Sequence, residues 1–184
     1  MKKYLILGIT LALFSCKDSE EAEVKTAPSQ VAAVQKESKT DLNSTSTSSE
    51  VVFENAAFGK VYEAYLDVKA SLVNTDATAA SKAVATLNNS QKDLLDNQGL
   101  QMAIQEFEAS TDIKNQRAIF ERISAAMEVE IAKQTITSGT IYKQYCPMAF
   151  DGKGGYWLSN SKEVRNPYYG DKMLKCGTID KELN

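Results

Sequence analysis

Phe58-Gly59-Lys60-Val61-Tyr62-Glu63-Ala64-Tyr65-Leu66-Asp67-Val68-Lys69-Ala70-Ser71-Leu72 is the stretch whose reading decides the fold class. Phe58, Val61, Tyr62, Tyr65, Val68 and Leu72 recur at steps of three and four residues. On an α-helix that spacing places them on one face, which must be buried. Asn55, just upstream, has a side chain suited to cap the first turn. Beyond the Asn74-Thr75-Asp76 break, a second stripe follows: Ala80, Ala83, Val84, Leu87, Leu94 and Leu95. Asn97-Gln98-Gly99 reads as its end. Leu100, Ala103, Ile104 and Phe107 make a third helix, and Ser110-Thr111-Asp112 caps a fourth carrying Ile113, Phe120, Ile123, Met127 and Ile131. Short connections favour antiparallel neighbours. The expectation is a mainly α protein: a small up-and-down bundle of three to four helices over residues 53–135.

Nothing in the bundle reads as catalytic. Glu106, Glu108, Glu121, Glu128 and Glu130 fall mostly on polar faces. Met102 and Met127 are read as core, and Arg117 as an ion-pair or surface residue.

The pattern changes after Thr135. Thr140-Ile141-Tyr142-Lys143-Gln144-Tyr145-Cys146 alternates like a strand. Asp151-Gly152-Lys153-Gly154-Gly155 is a turn, and Tyr156-Trp157-Leu158 is a hairpin partner. Ser159 to Val164 reads as a turn of helix, and Asn166-Pro167-Tyr168-Tyr169-Gly170 as another tight turn. Met173 to Ile179 resumes an extended pattern. Residues 136–184 therefore read as a turn-rich C-terminal cap with short β-strands. The cap packs on the bundle through Trp157, Tyr168 and Tyr169, which also form a candidate partner surface.

Two cysteines lie in this cap, each close to a methionine: Cys146 with Met148, and Met173 with Cys176. Thiolate and thioether are soft donors that prefer Cu(I). In an extended segment residues two apart point to one side, and a turn brings residues three apart together. Two such pairs facing each other make a sulfur-only pocket of up to four ligands, which accepts Cu(I) or Ag(I) and rejects Mg²⁺ and Ca²⁺. The same cysteines form a candidate disulfide in an oxidising compartment. Closing a loop of about thirty residues stabilises by roughly 3.5 kcal/mol on the chain-entropy model. Spacing leaves both chemistries open.

Upstream of the bundle the chain reads as an address and a tether. Lys2 and Lys3 precede an apolar run, Tyr4 to Phe14, too short to span a bilayer of about 30 Å. Leu13-Phe14-Ser15-Cys16 resembles a lipobox, which makes residues 1–15 a lipoprotein signal peptide and Cys16 the lipidated N-terminus. The expected location is the cell envelope, lipid-anchored to the outer membrane on its periplasmic face or at the cell surface. Lys17-Asp18-Ser19-Glu20-Glu21 resembles a surface-export signal, with plain linker acidity as the alternative. Residues 16–52, rich in Ser, Thr, Glu, Lys and Ala, are expected to be a disordered tether.

Composition closes several routes. The chain contains no histidine, which removes Ser-His-Asp and Cys-His catalysis and His-containing zinc or copper sites. Neither a Cys-x-x-Cys motif nor a βαβ pattern is present, so a thiol oxidoreductase is not expected, and the protein is not read as an enzyme. The net charge is −3. With no basic stripe, nucleic acid is not an expected partner.

Tyr145-Cys146-Pro147-Met148-Ala149-Phe150-Asp151, Gly154-Gly155-Tyr156-Trp157-Leu158-Ser159 and the run Arg165 to Gly177 together resemble a domain family of unknown function. Its members are stand-alone bacterial envelope lipoproteins, and domains fused to CusB/HlyD-like periplasmic adaptor subunits of resistance-nodulation-division copper/silver efflux pumps. The resemblance covers about residues 53–183, with the Cys-Pro-Met segment its most specific part. It implies heavy-metal handling, with Cys146, Met148, Met173 and Cys176 as ligands and metal-efflux components as partners.

Overall fold

The computed structural model describes residues 40–184. The expected signal peptide, lipidation site Cys16 and tether up to residue 39 lie outside the described residues.

Four helices follow one another as expected: α1 (Ala56–Val73), α2 (Ala77–Gln91), α3 (Gln98–Glu108) and α4 (Ile113–Ile131). Each is opened by a side-chain cap. Asn55 accepts from the N–H groups of Ala57 and Phe58, Asp76 from Ala79, Asn97 from Leu100 and Asp112 from Asn115. Such caps satisfy donors that the first turn leaves orphaned. Asn97 therefore starts α3, where the sequence reading had it end α2. The helix α2 stops at Gln91, so Leu94 beyond it is exposed.

The stripes interdigitate as one core. Phe58, Val61, Tyr65, Val68 and Leu72 of α1 are fully buried, together with Val84 and Leu87 of α2, Leu100, Ile104 and Phe107 of α3, and Phe120, Ile123 and Met127 of α4. Each such side chain contributes about 1.5–3 kcal/mol relative to exposure. Met102 departs from expectation: at 69 % exposed it lies off the α3 stripe. Among the glutamates read as solvated, Glu130 is buried; it accepts from the side chains of Asn97 and Lys133.

The cap is a three-stranded antiparallel sheet in the order β4-β3-β5. Its strands are β3 (Ile141–Cys146), β4 (Gly155–Ser159) and β5 (Thr178–Leu183). The hairpin of β3 and β4 pairs Cys146 with Gly155 and Tyr142 with Ser159. A small second sheet joins β1 (Val52–Phe53) to β2 (Ile136–Ser138). Of the segment 159–164 read as a turn of helix, Ser159 ends β4 and residues 160–163 are bent rather than helical. The stretch after Gly170 is a 3₁₀ turn (Gly170–Met173), so extension resumes only at Thr178.

Bundle and cap share a core. Helix α4 packs on β4. The Tyr65 hydroxyl accepts from the Leu158 backbone N–H at 3.0 Å and pairs with Ser124 Oγ at 2.8 Å, tying α1, α4 and β4 at one point. Burial pushes the Tyr65 phenol well above its ordinary value.

The expected tether overlaps the described residues from 40 to 52. Residues 41–49 lie along α1 and the loop after β4 as a hydrogen-bonded arm. Leu42 N–H donates to Asn74 Oδ1, and Ser46 donates twice to Glu163. Thr47 Oγ1 pairs with Ser161 Oγ, and Ser49 exchanges backbone and side-chain bonds with Asn160. Beneath the arm Lys69 is only 3 % exposed, with Nζ on Asn43 Oδ1 at 3.0 Å and Ser159 Oγ at 3.4 Å. A Ser/Thr-rich arm with little apolar surface is held by polar pairing. This is why composition alone read it as tether.

Candidate functional site

Cys146 ends the central strand β3, and Cys176 lies just ahead of β5. The two strands are antiparallel neighbours in the sheet, and the fold closes a thirty-residue separation to an Sγ–Sγ distance of 2.7 Å. Both are free thiols, Cys146 buried and Cys176 partly exposed. Burial, then the hydrogen bond and charge of Cys146, push the Cys176 thiol up to about 11, while a bond from the Met148 backbone N–H pulls it down. At neutral pH the Cys176 thiol is protonated and needs a cation or an oxidant to lose its proton.

The limb carrying Cys176 is positioned by Asn166, which is fully buried. Its Nδ2 donates to Cys176 O at 2.7 Å, and its Oδ1 accepts from the N–H groups of Tyr168 (2.8 Å) and Tyr169 (3.1 Å). Gln144, also buried, accepts from Trp157 Nε1 at 2.8 Å and donates to Ser161 O at 2.9 Å. Neither residue was singled out from the sequence. The Asn-Pro turn was the available signal for Asn166, and an amide at an inward strand position was the signal for Gln144.

The two methionines flank the pair by backbone rather than by enclosure. The Cys176 N–H donates to Met173 O at 3.0 Å, and Met148 N–H faces the Cys176 sulfur. Their side chains are 53 % (Met148) and 36 % (Met173) exposed. The expected inward-facing Cys/Met pairs thus meet at the thiols, while the thioethers stand at the surface. The strand ends at Cys146 and Met148 is already α-helical in conformation, so the same-side rule of an extended segment does not reach it. Among the described residues no group of three or more His, Cys, Asp or Glu converges as a metal site.

The turn after the first cysteine is strained. Phe150 and Asp151 both have φ in the left-handed region, 53° and 59°, at a cost of about 1–3 kcal/mol each. Gly154 (φ 82°) follows, where a Cβ would strike the Tyr145 ring.

The expected aromatic partner surface is corrected. Trp157 is fully buried and Tyr168 nearly so, their rings edge-to-face at 5.7 Å. Tyr168 also meets Phe120 of α4 at 6.3 Å and donates from its hydroxyl to Tyr156 O. These rings fasten the cap to the bundle, as the packing expectation had it, and are not available to a partner. Tyr169 remains partly exposed, its hydroxyl donating to Met148 O. Arg117, read as an ion-pair or surface residue, is half-buried and donates to the carbonyls of Pro167 and Leu72 and to Thr75 Oγ1.

Residues 61–139 match the model of a family described as a protein of unknown function (DUF3347). The match spans most of α1 through β2 and ends before the cysteines of the cap. No curated protein and no solved structure matches the chain. No helix among the described residues is long and apolar enough to cross a membrane.

Proposed function

We propose that this is a lipid-anchored envelope protein whose Cys146–Cys176 dithiol, when reduced, takes a soft monovalent ion, Cu(I) or Ag(I), as an accessory to metal efflux or homeostasis. The observation that carries the reading is the convergence of two thiols from separate limbs, which part to admit an ion between them. Two sulfur donors side by side, with no third His, Cys, Asp or Glu joining them among the described residues, are chemistry for a soft ion. Met148 and Met173 stand at the rim, exposed and flexible enough to add a thioether from solvent. The ion supplies the charge that lets both thiols deprotonate, and the chain's part is to hold the sulfurs adjacent through β3 and Asn166. The resemblance to envelope lipoproteins and efflux-adaptor domains supports the setting, with the membrane reached through Cys16.

The test uses the full chain carrying Cys16→Ser, so that two thiols remain, titrated anaerobically with Cu(I) against a chromophoric chelator. One ion per chain is expected, abolished by Cys146→Ser or Cys176→Ser. Equal competition by wild type and Cys146→Ser ends the proposal.

A second reading is favoured by the same pair. The sulfurs need close by only about 0.6–0.7 Å to reach covalent length, and burial disfavours the Cys176 thiolate. A Cys146–Cys176 disulfide would then staple the cap of a structural or interaction lipoprotein. Thiol counting by mass spectrometry on protein taken directly from the envelope separates the two, since a quantitative bridge leaves no seat for an ion.

A further inference from the structure

The turn that follows Cys146 also forms one wall of a separate cavity of about 280 Å³. Three cations line it, Lys114 and Arg117 from α4 and Lys153 from the turn, against a single carboxylate, Asp151. Their charge is not neutralised by contact. The Arg117 donors go to two carbonyls and a hydroxyl, and Asp171 acts on it only through space. Lys114 and Lys153 take part in none of the ion pairs among the described residues.

The rest of the wall is aromatic: Phe150, Tyr168 and Tyr169. Phe150 stands edge-to-face with Tyr168 at 4.9 Å, a placement that depends on its left-handed backbone. Gly155 permits the approach, since a Cβ there would lie 2.8 Å from both rings. Surplus positive charge around a ring-walled recess asks for a ligand with both a negative head and a flat apolar body. An inorganic anion leaves the rings unmatched, and a neutral arene leaves the cations unmatched. The volume is at the small end for ligand cavities.

We propose that this recess binds a small aromatic carboxylate, its head between Lys114 and Lys153 and its ring against Phe150 and Tyr169. The site is independent of the metal reading.

The full chain is titrated calorimetrically with 2-naphthoate, with 2-naphthamide and inorganic phosphate as comparison ligands. Saturable binding of naphthoate is expected, with each comparison ligand at least about tenfold weaker. The double variant Lys114→Gln/Lys153→Gln should weaken naphthoate about tenfold, while Lys82→Gln/Lys92→Gln, within and just past α2, should leave it unchanged. Both lysines of the site are exposed, so far-UV circular dichroism should stay native, and the ligand comparison on wild type stands without the variants. Equal affinity for naphthamide, equal affinity for phosphate, absence of saturation, or indifference to the double variant overturns the proposal.

Discussion

Replacing Asn166 by alanine removes three hydrogen bonds at once. The N–H groups of Tyr168 and Tyr169 and the carbonyl of Cys176 lose their partner. A fully buried alanine methyl cannot substitute, and each orphaned group costs about 1 kcal/mol. The expected loss is therefore about 3 kcal/mol, or a fall in melting temperature of roughly 6–12 °C for a domain of this size. The effect is not only global. Asn166 also fixes the segment before Cys176 through its backbone, accepting from Gly170 and donating to Leu174, and those two bonds survive the substitution. The limb should therefore loosen while the sheet stays formed, and Cys176 should react with a disulfide reagent several-fold faster than in wild type. Urea unfolding followed by the single tryptophan, Trp157, measures the first quantity, and stopped-flow thiol labelling measures the second. A loss below about 1 kcal/mol together with an unchanged labelling rate would refute the positioning role of Asn166.

Lys69 gives a pH signature. Burial holds its amine down at about 8, with Arg165 adding to the effect, against about 10.4 in an unfolded chain. Between those values the unfolded chain binds more protons, so stability rises with pH, by about 2 kcal/mol from about pH 7 to about pH 9.5. Chemical unfolding of wild type beside Lys69→Met checks this, because the variant should lack that increment. Trp157→Phe strands the buried Gln144 Oε1 and should cost about 1–3 kcal/mol by thermal unfolding. The Glu163 carboxylate is held below its usual range by the Ser46 hydroxyl and backbone N–H. Its contribution is present above the ordinary carboxylate value and lost as pH falls through the depressed one, so limited proteolysis should cut within residues 41–49 faster in acid. Met148→Leu and Met173→Leu should weaken Cu(I) by at most about tenfold each, in the same competition assay that either cysteine variant abolishes.

The helices were legible because their information is local. Phe58 to Leu72 repeats at helical spacing, and Asn55, Asp76 and Asp112 stand where caps are needed. The β3–β4 hairpin was legible for the same reason. What escaped depends on contacts across long separations. The burial of Lys69 comes from an arm some twenty-six residues upstream, a contact that helical spacing does not carry. Trp157 and Tyr168 sit in turn-rich sequence that resembles an exposed lobe, yet Phe120 of α4 and Gln144 of β3 enclose them. The meeting of Cys146 with Cys176 was anticipated by residue type. The outward Met148 was not, because the chain leaves the strand at Pro147 and the two-residue alternation ends there.

The most direct measurement is X-ray absorption at the metal edge of the reduced, Cu(I)- or Ag(I)-loaded full chain carrying Cys16→Ser. The expected spectrum has a first shell of sulfur alone, two to three scatterers, lost in Cys146→Ser. A shell of oxygen or nitrogen, or a sulfur shell that survives that substitution, contradicts the dithiol seat.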